Sequence, residues 1–271
     1  MEGFCMHWQK TFFSALGLAA VAGGAALCYA AKIEPEHLHV TRPCLAKPLP
    51  VRTVFFSDVH IGRRYHPRHL SDIVDAINAQ SPELVLFGGD FFAKLPKDMH
   101  VLDFEWLAQQ LSRIHAPLGK YAVLGNHDVR YGSKPFFYKL FQQSGFTVLW
   151  DETVEVLPNL NICGLSPYSN GKALQQAPAS EYTICLCHMP DKARYLSLHR
   201  CELMLSGHSH NGQIRLPVLT KIILPPGGKM YPYGLYHPQG TDKAALFVSR
   251  GIGMSGPPLR FFAPPEIVLF E

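Results

Sequence analysis

Five short polar motifs, rich in aspartate and histidine, each directly follow an apolar run of the sequence. They are Ser57-Asp58-Val59-His60, Gly88-Gly89-Asp90, Gly125-Asn126-His127-Asp128, Cys187-His188 and Gly207-His208-Ser209-His210. The apolar runs predict buried strands, and open α/β sheets bind ligands outside the carboxyl ends of their strands. The flanking glycines allow the backbone to turn sharply at those points. We therefore expect the five motifs to meet at one edge of a sheet.

The residue types in these motifs are those that bind divalent metal ions. Aspartate, asparagine and histidine supply oxygen and neutral imidazole nitrogen, which suits Mn²⁺, Fe or Zn²⁺ better than Mg²⁺ alone. A shared carboxylate can hold two ions about 3.5–4 Å apart, where they lower the pKa of a bound water and clamp the attacking and leaving oxygens. The positive charge left on such a pair attracts phosphate. The motifs thus indicate two divalent ions, with Mn²⁺ the first expectation, acting on a phosphorylated substrate.

Each motif taken alone also has an ordinary structural explanation. A single histidine such as His188 is more often a hydrogen-bonded core or loop residue than a metal ligand. Asp128 is explained by capping or ion pairing as well as by orienting His127. The combination of five motifs, each at the end of a predicted strand, is what favours a common site over these separate explanations.

The rest of the chain predicts an α/β domain that positions the motifs. Apolar runs rich in β-forming residues occupy 53–57, 84–87, 121–124, 147–150, 160–163, 183–187, 203–205, 245–249 and 267–270. Helix-like stretches occupy 69–80, 103–115, 135–144 and 191–199. Strands alternate with helices early in the chain and have fewer helices between them later. This pattern favours sheets buried between helical layers over a purely parallel fold.

The order of the motifs resembles that of the calcineurin-like metallophosphoesterase superfamily over roughly residues 53–270. This resemblance implies a four-layer αββα sandwich with two mixed β-sheets. It implies that His127 assists the leaving group or stabilises charge in the transition state. It also implies a ligand set: Asp58, His60 and His210 for the first metal, Asp90 as the bridge, and Asn126, His188 and His208 for the second.

A finer resemblance points to a membrane-associated subgroup of the superfamily. Residues 207–217, 249–253 and 265–269 resemble the bacterial phosphodiesterases YaeI and YkuE. The chain is also similar to the chlamydial-type UDP-2,3-diacylglucosamine hydrolase of lipid A synthesis, which cleaves a pyrophosphate to give a lipid monophosphate and UMP. The resemblance therefore implies a phosphodiester or pyrophosphate hydrolase with a lipid-linked substrate, UDP-2,3-diacylglucosamine being the specific expectation.

Basic and aromatic residues surround the predicted metal site. Arg63, Arg64 and Arg130 could bind a second phosphate group through bidentate contacts, and a solvated basic loop explains them equally well. After Asp90 many relatives carry a further polar residue, whereas this chain continues with apolar ones, which predicts a more apolar rim. Acyl-chain contact or ordinary packing under loops would explain the aromatic residues Phe91, Phe92, Phe136 and Phe137 and the stretch 229–233.

An apolar segment precedes the domain. Residues 11–31 contain no charged side chain, and as a helix they would span about 31 Å, one hydrocarbon core. We expect residues 1–32 to be an uncleaved membrane anchor, 33–51 a linker or wrapping arm, and 52–271 the catalytic domain. A cleaved signal peptide and a helix packed on the domain are the alternatives.

Charge and cysteine usage bear on the compartment. Lys32, Arg42 and Lys47 follow the apolar segment and only Lys10 precedes it, which favours a cytoplasmic catalytic domain. The seven cysteines form no Cys-x-x-Cys pair. They are typical of small core residues rather than of a disulfide framework, which favours a reducing compartment.

Composition excludes several classes of protein. With 47% hydrophobic and 17% charged residues the chain is not intrinsically disordered, and a single long apolar segment excludes a polytopic transporter. A net charge of +4 without a basic stripe argues against a nuclease or another nucleic-acid partner, and no protein partner is indicated. A phosphodiesterase or phosphatase of soluble substrates and a non-catalytic scaffold on the same fold remain as alternatives. The scaffold would lack ligands, and here every ligand position is filled.

Overall fold

The computed structural model describes residues 16–238 and 243–271. Its strands are β1 (His39–Thr41), β2 (Thr53–Phe56), β3 (Leu84–Phe87), β4 (Lys120–Ala122), β5 (Phe146–Val148), β6 (Glu152–Leu157), β7 (Leu160–Leu165), β8 (Tyr182–Cys187), β9 (Leu203–Ser206), β10 (Gly234–Tyr236), β11 (Ala245–Val248) and β12 (Glu266–Phe270). They form two six-stranded sheets, with strand orders β1-β12-β2-β3-β4-β5 and β10-β11-β9-β8-β7-β6. Both sheets are mixed, because each combines parallel central pairs with an antiparallel pair.

The described part of the chain also contains eight helices. They are α1 (Leu16–Glu36, ending in a π and a 3₁₀ turn), α2 (His69–Asn78), α3 (Leu95–Asp98), α4 (Phe104–Ser112), α5 (Asn126–Val129), α6 (Lys134–Gln143), α7 (Lys172–Gln175) and α8 (Leu219–Ile223). Helices α2, α4 and α6 pack on the first sheet, and α7 packs on the second. The four-layer αββα sandwich expected from the resemblance is confirmed.

The sheets are held together by a core that both of them supply. Phe55 and Leu86 from the first sheet belong to one buried cluster with Ile184, Leu205 and Phe247 from the second. Because the central parallel strands are covered on both faces, every residue of β2, β3, β7 and β8 is buried. This is why these strands are continuous apolar runs in the sequence, and it fixes the strand ends relative to one another.

The nine apolar runs predicted as strands are strands, within two residues at each end. The sequence prediction missed β1, which is one edge strand of the first sheet, and β6 and β10, which are the two edge strands of the second sheet. These strands are partly exposed and lack a continuous apolar run. Three of the four predicted helices are present. The fourth, at 191–199, is wrong: only the 3₁₀ turn Pro190–Arg194 forms. Ala193 reaches the outer core from this turn, and Leu198 reaches it from the irregular backbone that follows.

The end of α1 is fastened to the domain by buried polar contacts. The Glu34 carboxylate accepts hydrogen bonds from the backbone N–H groups of Phe262 (2.9 Å) and Ala263 (2.6 Å). The Ala30 carbonyl accepts one from the backbone N–H of Arg260 at 2.9 Å. The following segment, predicted as a linker or wrapping arm, contributes β1, which pairs in parallel with β12.

The remainder of α1 is exposed along nearly all of its described length. The first fifteen residues of the predicted anchor lie outside the described part of the chain. The length and composition of α1 fit a single membrane span, and a signal sequence near the amino terminus meets the same criteria.

Phe137 tests the packing of the outer helical layer. Its ring is fully buried and stacks on Phe141 with 4.1 Å between centroids, whereas the neighbouring Phe136 is 38% exposed. Phe137→Ala should lower the free energy of unfolding by about 3–5 kcal/mol, since it removes buried contacts and leaves a cavity. Phe136→Ala should cost about 1 kcal/mol or less. Urea unfolding of both variants measures the difference, and equal losses would contradict the packing described here.

Candidate metal centre

All five polar motifs lie at the carboxyl ends of their strands and meet at one edge of the sandwich. The first sheet contributes the residues after β2, β3 and β4, and the second contributes those after β8 and β9. The seven predicted ligand residues and His127 are thereby brought together from positions 58 to 210 of the chain. The donor atoms of three overlapping trios lie within 4.8 Å of one another: Asp58, His60 and His210; His60, Asp90 and His127; Asp90, His188 and His208.

One half of the cluster consists of Asp58, His60 and His210. The Nε2 atom of His210 lies 3.3 Å from Asp58 Oδ1, and the two histidine Nε2 atoms are 3.0 Å apart. All three side chains are buried. Three donor atoms at these separations surround a volume that a single cation can fill.

Asp90 joins this half of the cluster to the other. Its Oδ2 atom lies 3.6 Å from Nε2 of His60 and 3.2 Å from Nε2 of His188. The ring of His208 lies 5.1 Å from that of His188 at an interplanar angle of 70°. One carboxylate oxygen therefore stands between donor groups of both halves, as a bridging ligand would.

Backbone carbonyls hold two of the imidazole rings in place. The Nδ1 atom of His188 lies 2.8 Å from the Gly88 carbonyl oxygen, and the Nε2 atom of His208 lies 2.9 Å from that of Pro226. In the neutral imidazole, an N–H that donates to a carbonyl fixes the tautomer and leaves the other ring nitrogen unprotonated. His188 therefore offers Nε2 to the cluster, and His208 offers Nδ1.

Several buried polar atoms of the cluster have no hydrogen-bond partner among the described residues. They are the Asn126 carbonyl oxygen, Nε2 of His188 and Nδ1 of His60. A buried polar atom left unpaired costs about 1–3 kcal/mol. A bound cation would satisfy the Asn126 oxygen and the His188 nitrogen, both of which are metal-donor atoms. The residues present therefore fit a pair of divalent ions.

Burial and close charges shift the pKa values of these groups in different directions. Burial raises the pKa of Asp58 to about 6, and it lowers that of His60 to about 3 and that of His208 to about 4. Burial would lower the pKa of His188 too, but the Asp90 carboxylate raises it to about 10. His60 and His208 are thus neutral and ready to ligate. His188 carries a proton that a metal ion must displace, since imidazole binds metals in its neutral form.

The backbone at the cluster is strained. The residues Asp58, His60, Asp90, His208 and His210 all have positive φ. Non-glycine residues are uncommon in this region, and each such conformation costs of order 1–3 kcal/mol unless the surroundings enforce it. The strained backbone thus lowers the stability of the fold, and it directs these five side chains toward one point.

His127 is oriented by a group that the sequence did not indicate. Its Nδ1 atom lies 2.7 Å from the carbonyl oxygen of Ala93, which leaves Nε2 as the ring nitrogen available to a substrate. Asp128 instead accepts hydrogen bonds at 2.7–3.1 Å from the backbone N–H groups of Asp90, Phe91 and Phe92 in the loop after β3, and from that of Gly125 at the start of α5. Of the two explanations for Asp128, the capping one is confirmed.

Two cavities meet at His127. The first, of about 340 Å³, is lined by the metal-cluster side chains together with Arg130. The second, of about 360 Å³, is lined by Arg63, Arg64, Lys94 and Lys97. The sequence prediction included the three arginines but missed both lysines, although they closely follow the Gly-Asp motif. Arg63 also lies 3.1 Å from Asp98, whose carboxylate positions it at the cavity wall.

The aromatic residues that follow Asp90 are not at the rim. Phe91, Phe92 and Phe137 are fully buried in the core under the helices. The prediction of a more apolar rim at this position is therefore wrong, because the capped loop turns both rings inward. Phe136 remains partly exposed.

Comparison with known proteins identifies the family. The model of the calcineurin-like phosphoesterases matches residues 51–212. The chain belongs to this family. It is a metal-dependent phosphoester hydrolase with a candidate dinuclear centre.

Three curated relatives cover nearly the whole chain. The metallophosphoesterase YkuE of Bacillus subtilis is 31% identical over 97% of this chain and 96% of its own length. The phosphodiesterase YaeI of Escherichia coli is 29% identical over 93% and 95%. The UDP-2,3-diacylglucosamine pyrophosphatase LpxG of Chlamydia muridarum is 26% identical over 95% and 97%. The similarity thus includes the segment before the catalytic domain.

Gly207 tests how closely the backbone must approach the cluster. A Cβ atom at this position would overlap Oδ2 of Asp58 and Oγ of Ser57. Gly207→Ala should therefore displace Asp58 and reduce bound metal to about one ion per chain or fewer. At Gly256 a Cβ would meet open space, so Gly256→Ala should keep full occupancy. Elemental analysis of the purified variants measures the number of ions bound per chain. Two ions bound to Gly207→Ala would contradict the geometry described here.

Proposed function

We propose that this hydrolase acts at a membrane surface on a lipid-linked pyrophosphate or phosphodiester. UDP-2,3-diacylglucosamine is the specific substrate proposed, and a lipid monophosphate and UMP are the products. In this proposal residues 1–32 anchor the chain, residues 33–51 connect the anchor, and residues 52–271 form a catalytic domain on the cytoplasmic side. The basic residues Lys32, Arg42 and Lys47 after the apolar segment support that orientation.

The observation that carries the proposal is the position of His127 between two cavities of different chemistry. On one side lie the metal-donor groups, which suit the phosphorus that is attacked. On the other side lie four cationic side chains, those of Arg63, Arg64, Lys94 and Lys97, and one carboxylate, Asp98, which pairs with Arg63. A leaving group that is itself a phosphate would enter such a cavity, because cations stabilise its charge. An uncharged alcohol leaving group would not need a cationic cavity.

Similarity to LpxG supports the lipid-linked substrate, because that relative is named for a UDP-2,3-diacylglucosamine pyrophosphatase activity. The apolar helix α1, fastened next to the domain, supports a location at the bilayer. YaeI is named a phosphodiesterase, so hydrolysis of a soluble phosphodiester is the second candidate.

Each side chain of the site has a separate task in this proposal. Asp58, His60 and His210 would hold one metal, and Asn126, His188 and His208 would hold the other, with Asp90 between the two groups. When bound, the two ions supply Lewis acidity that activates water and offsets charge on the phosphoryl oxygens, with Mn²⁺ the ion proposed.

In this proposal His127 acts on the side of the phosphorus atom opposite the attacking water. Its Nδ1–H donates to the Ala93 carbonyl, which holds the ring so that Nε2 can deliver a proton to the departing oxygen. The cations of the second cavity then hold the departing phosphate. Arg130, which lines the metal cavity, is positioned to contact a non-bridging phosphoryl oxygen.

His127→Ala and Asn126→Ala should separate proton transfer from metal binding. His127→Ala should retain both ions and lose about 10²–10⁴-fold in kcat, the usual contribution of a general acid. The loss should be smaller for a p-nitrophenyl ester, whose leaving group departs without a proton. Asn126→Ala should lose an ion, and Asn126→Asp should retain it. Metal analysis with kcat for both ester types makes the comparison, and unchanged hydrolysis in both alanine variants would end the catalytic assignment.

The substrate itself is tested with the Mn²⁺-loaded protein. It should hydrolyse UDP-2,3-diacylglucosamine to UMP with a kcat/KM at least about 100-fold above that for bis-p-nitrophenyl phosphate, since the second cavity engages only the former. Lys94→Gln with Lys97→Gln should lower kcat/KM for the UDP-lipid about tenfold. Lys139→Gln with Lys172→Gln, which removes two exposed charges elsewhere, is the matched control. Turnover of the chromogenic diester alone would favour the soluble-substrate candidate.

A further inference from the structure

An apolar surface surrounds the short helix α8. Val218 is 74% exposed, Ile222 is 71% exposed, and Phe262 and Met230 are 61% and 47% exposed. We call these four residues the α8 surface. Single exposed apolar side chains are ordinary, but a cluster beside a functional site marks a surface that contacts something apolar.

The α8 surface is continuous with the end of the apolar helix α1. A cavity of about 1410 Å³ is lined by Tyr29 and Glu34 from α1 together with Val218, Met230 and Phe262. The Glu34 carboxylate accepts hydrogen bonds from the backbone N–H groups of Phe262 and Ala263, and these bonds fix the two regions relative to each other. A bilayer that contains α1 up to its charged end would therefore lie against the α8 surface.

The charges around the α8 surface are positive. Arg215, Lys221 and Lys229 line the same cavity and are exposed. The acidic groups nearby are engaged by backbone N–H groups: Glu34 as described above, and Asp191 by those of Lys229 and Met230, each at 3.0 Å. These cations can therefore contact anionic lipid headgroups, which attract Lys and Arg side chains near a membrane surface.

We propose that the α8 surface is a second membrane attachment, which inserts into the interface of the bilayer that holds α1. Its apolar side chains enter the boundary between headgroups and acyl chains, while the three cations contact lipid phosphates. The inference rests on the membrane location in the proposed function, and it adds the face of the catalytic domain that meets the lipid.

This attachment would present the metal centre to a substrate embedded in the bilayer. Ile223, next to Ile222 on α8, lines the metal cavity together with Gly212 and Pro226. Helix α8 therefore forms one wall of that cavity while its exposed side faces the lipid. A lipid headgroup could enter over α8 without its acyl chains leaving the membrane.

The test uses the full chain reconstituted in vesicles of phosphatidylethanolamine and phosphatidylglycerol. Ile222→Trp adds a fluorophore on the α8 surface, and Thr147→Trp adds one on β5, an exposed position at the sheet edge opposite β1. Five strand spacings of about 4.8 Å separate the two edges. Lipids brominated in the acyl chains should quench the emission added by Ile222→Trp by at least about one third. That added by Thr147→Trp should change by less than about one tenth.

Each other outcome overturns the proposal. Equal quenching at both positions, or none at 222, would exclude insertion of the α8 surface. A blue-shifted but unquenched emission at 222 would indicate that protein, such as a second copy of the chain, covers it. A full chain that does not associate with vesicles would remove the membrane location as well. Turnover of UDP-2,3-diacylglucosamine in detergent separates these failures from failure of the proposed substrate.

Discussion

The site depends on the crowding of ionisable side chains in a buried space at the strand ends. Two carboxylates and five imidazoles converge where the described residues do not satisfy all of their donor and acceptor atoms. Uncompensated charges and unpaired polar atoms are costly in such a place. The strained backbone at five of these residues adds to the cost. Two bound cations would offset these costs. The arrangement that lowers the stability of the fold therefore provides affinity for metal and then for phosphate.

A second buried group links the metal cluster to the amino-terminal helix. The guanidinium of Arg260 is fully buried and donates to the carbonyl oxygens of Gly253 (2.6 Å) and Ala263 (2.6 Å), and Nη2 lies 3.4 Å from Nδ1 of His210. The backbone N–H of the same residue donates to Ala30 in α1. One residue therefore contacts both the helix that fits a membrane span and a metal-site histidine. The position of the end of α1 relative to the metal-site histidine is consequently set by these contacts rather than by a flexible tether.

Three chemically distinct surfaces meet around His127 and α8. The metal cavity offers ligands to divalent ions, the adjoining cavity offers four cations, and the outer side of α8 offers apolar side chains. A substrate that contains a reacting phosphate, a second phosphate and acyl chains has one chemical group for each of these three surfaces. A small soluble diester would engage the first surface alone. This correspondence of parts is the physical basis for preferring a lipid-linked pyrophosphate over the alternatives.

The sequence by itself determined the two-sheet fold and predicted the metal-donor set. Fully buried parallel strands must be apolar along their whole length, so each strand end is visible as the point where Asp, Asn or His follows an apolar run, as at Asp90 after β3. The partly exposed edge strands β1, β6 and β10 carry no such signal. Only the tertiary structure decided that Ala93 orients His127, that Asp128 caps a loop, and that Phe91 and Phe92 turn into the core. These outcomes depend on contacts between segments distant in the chain, and local residue patterns do not encode which segments will meet.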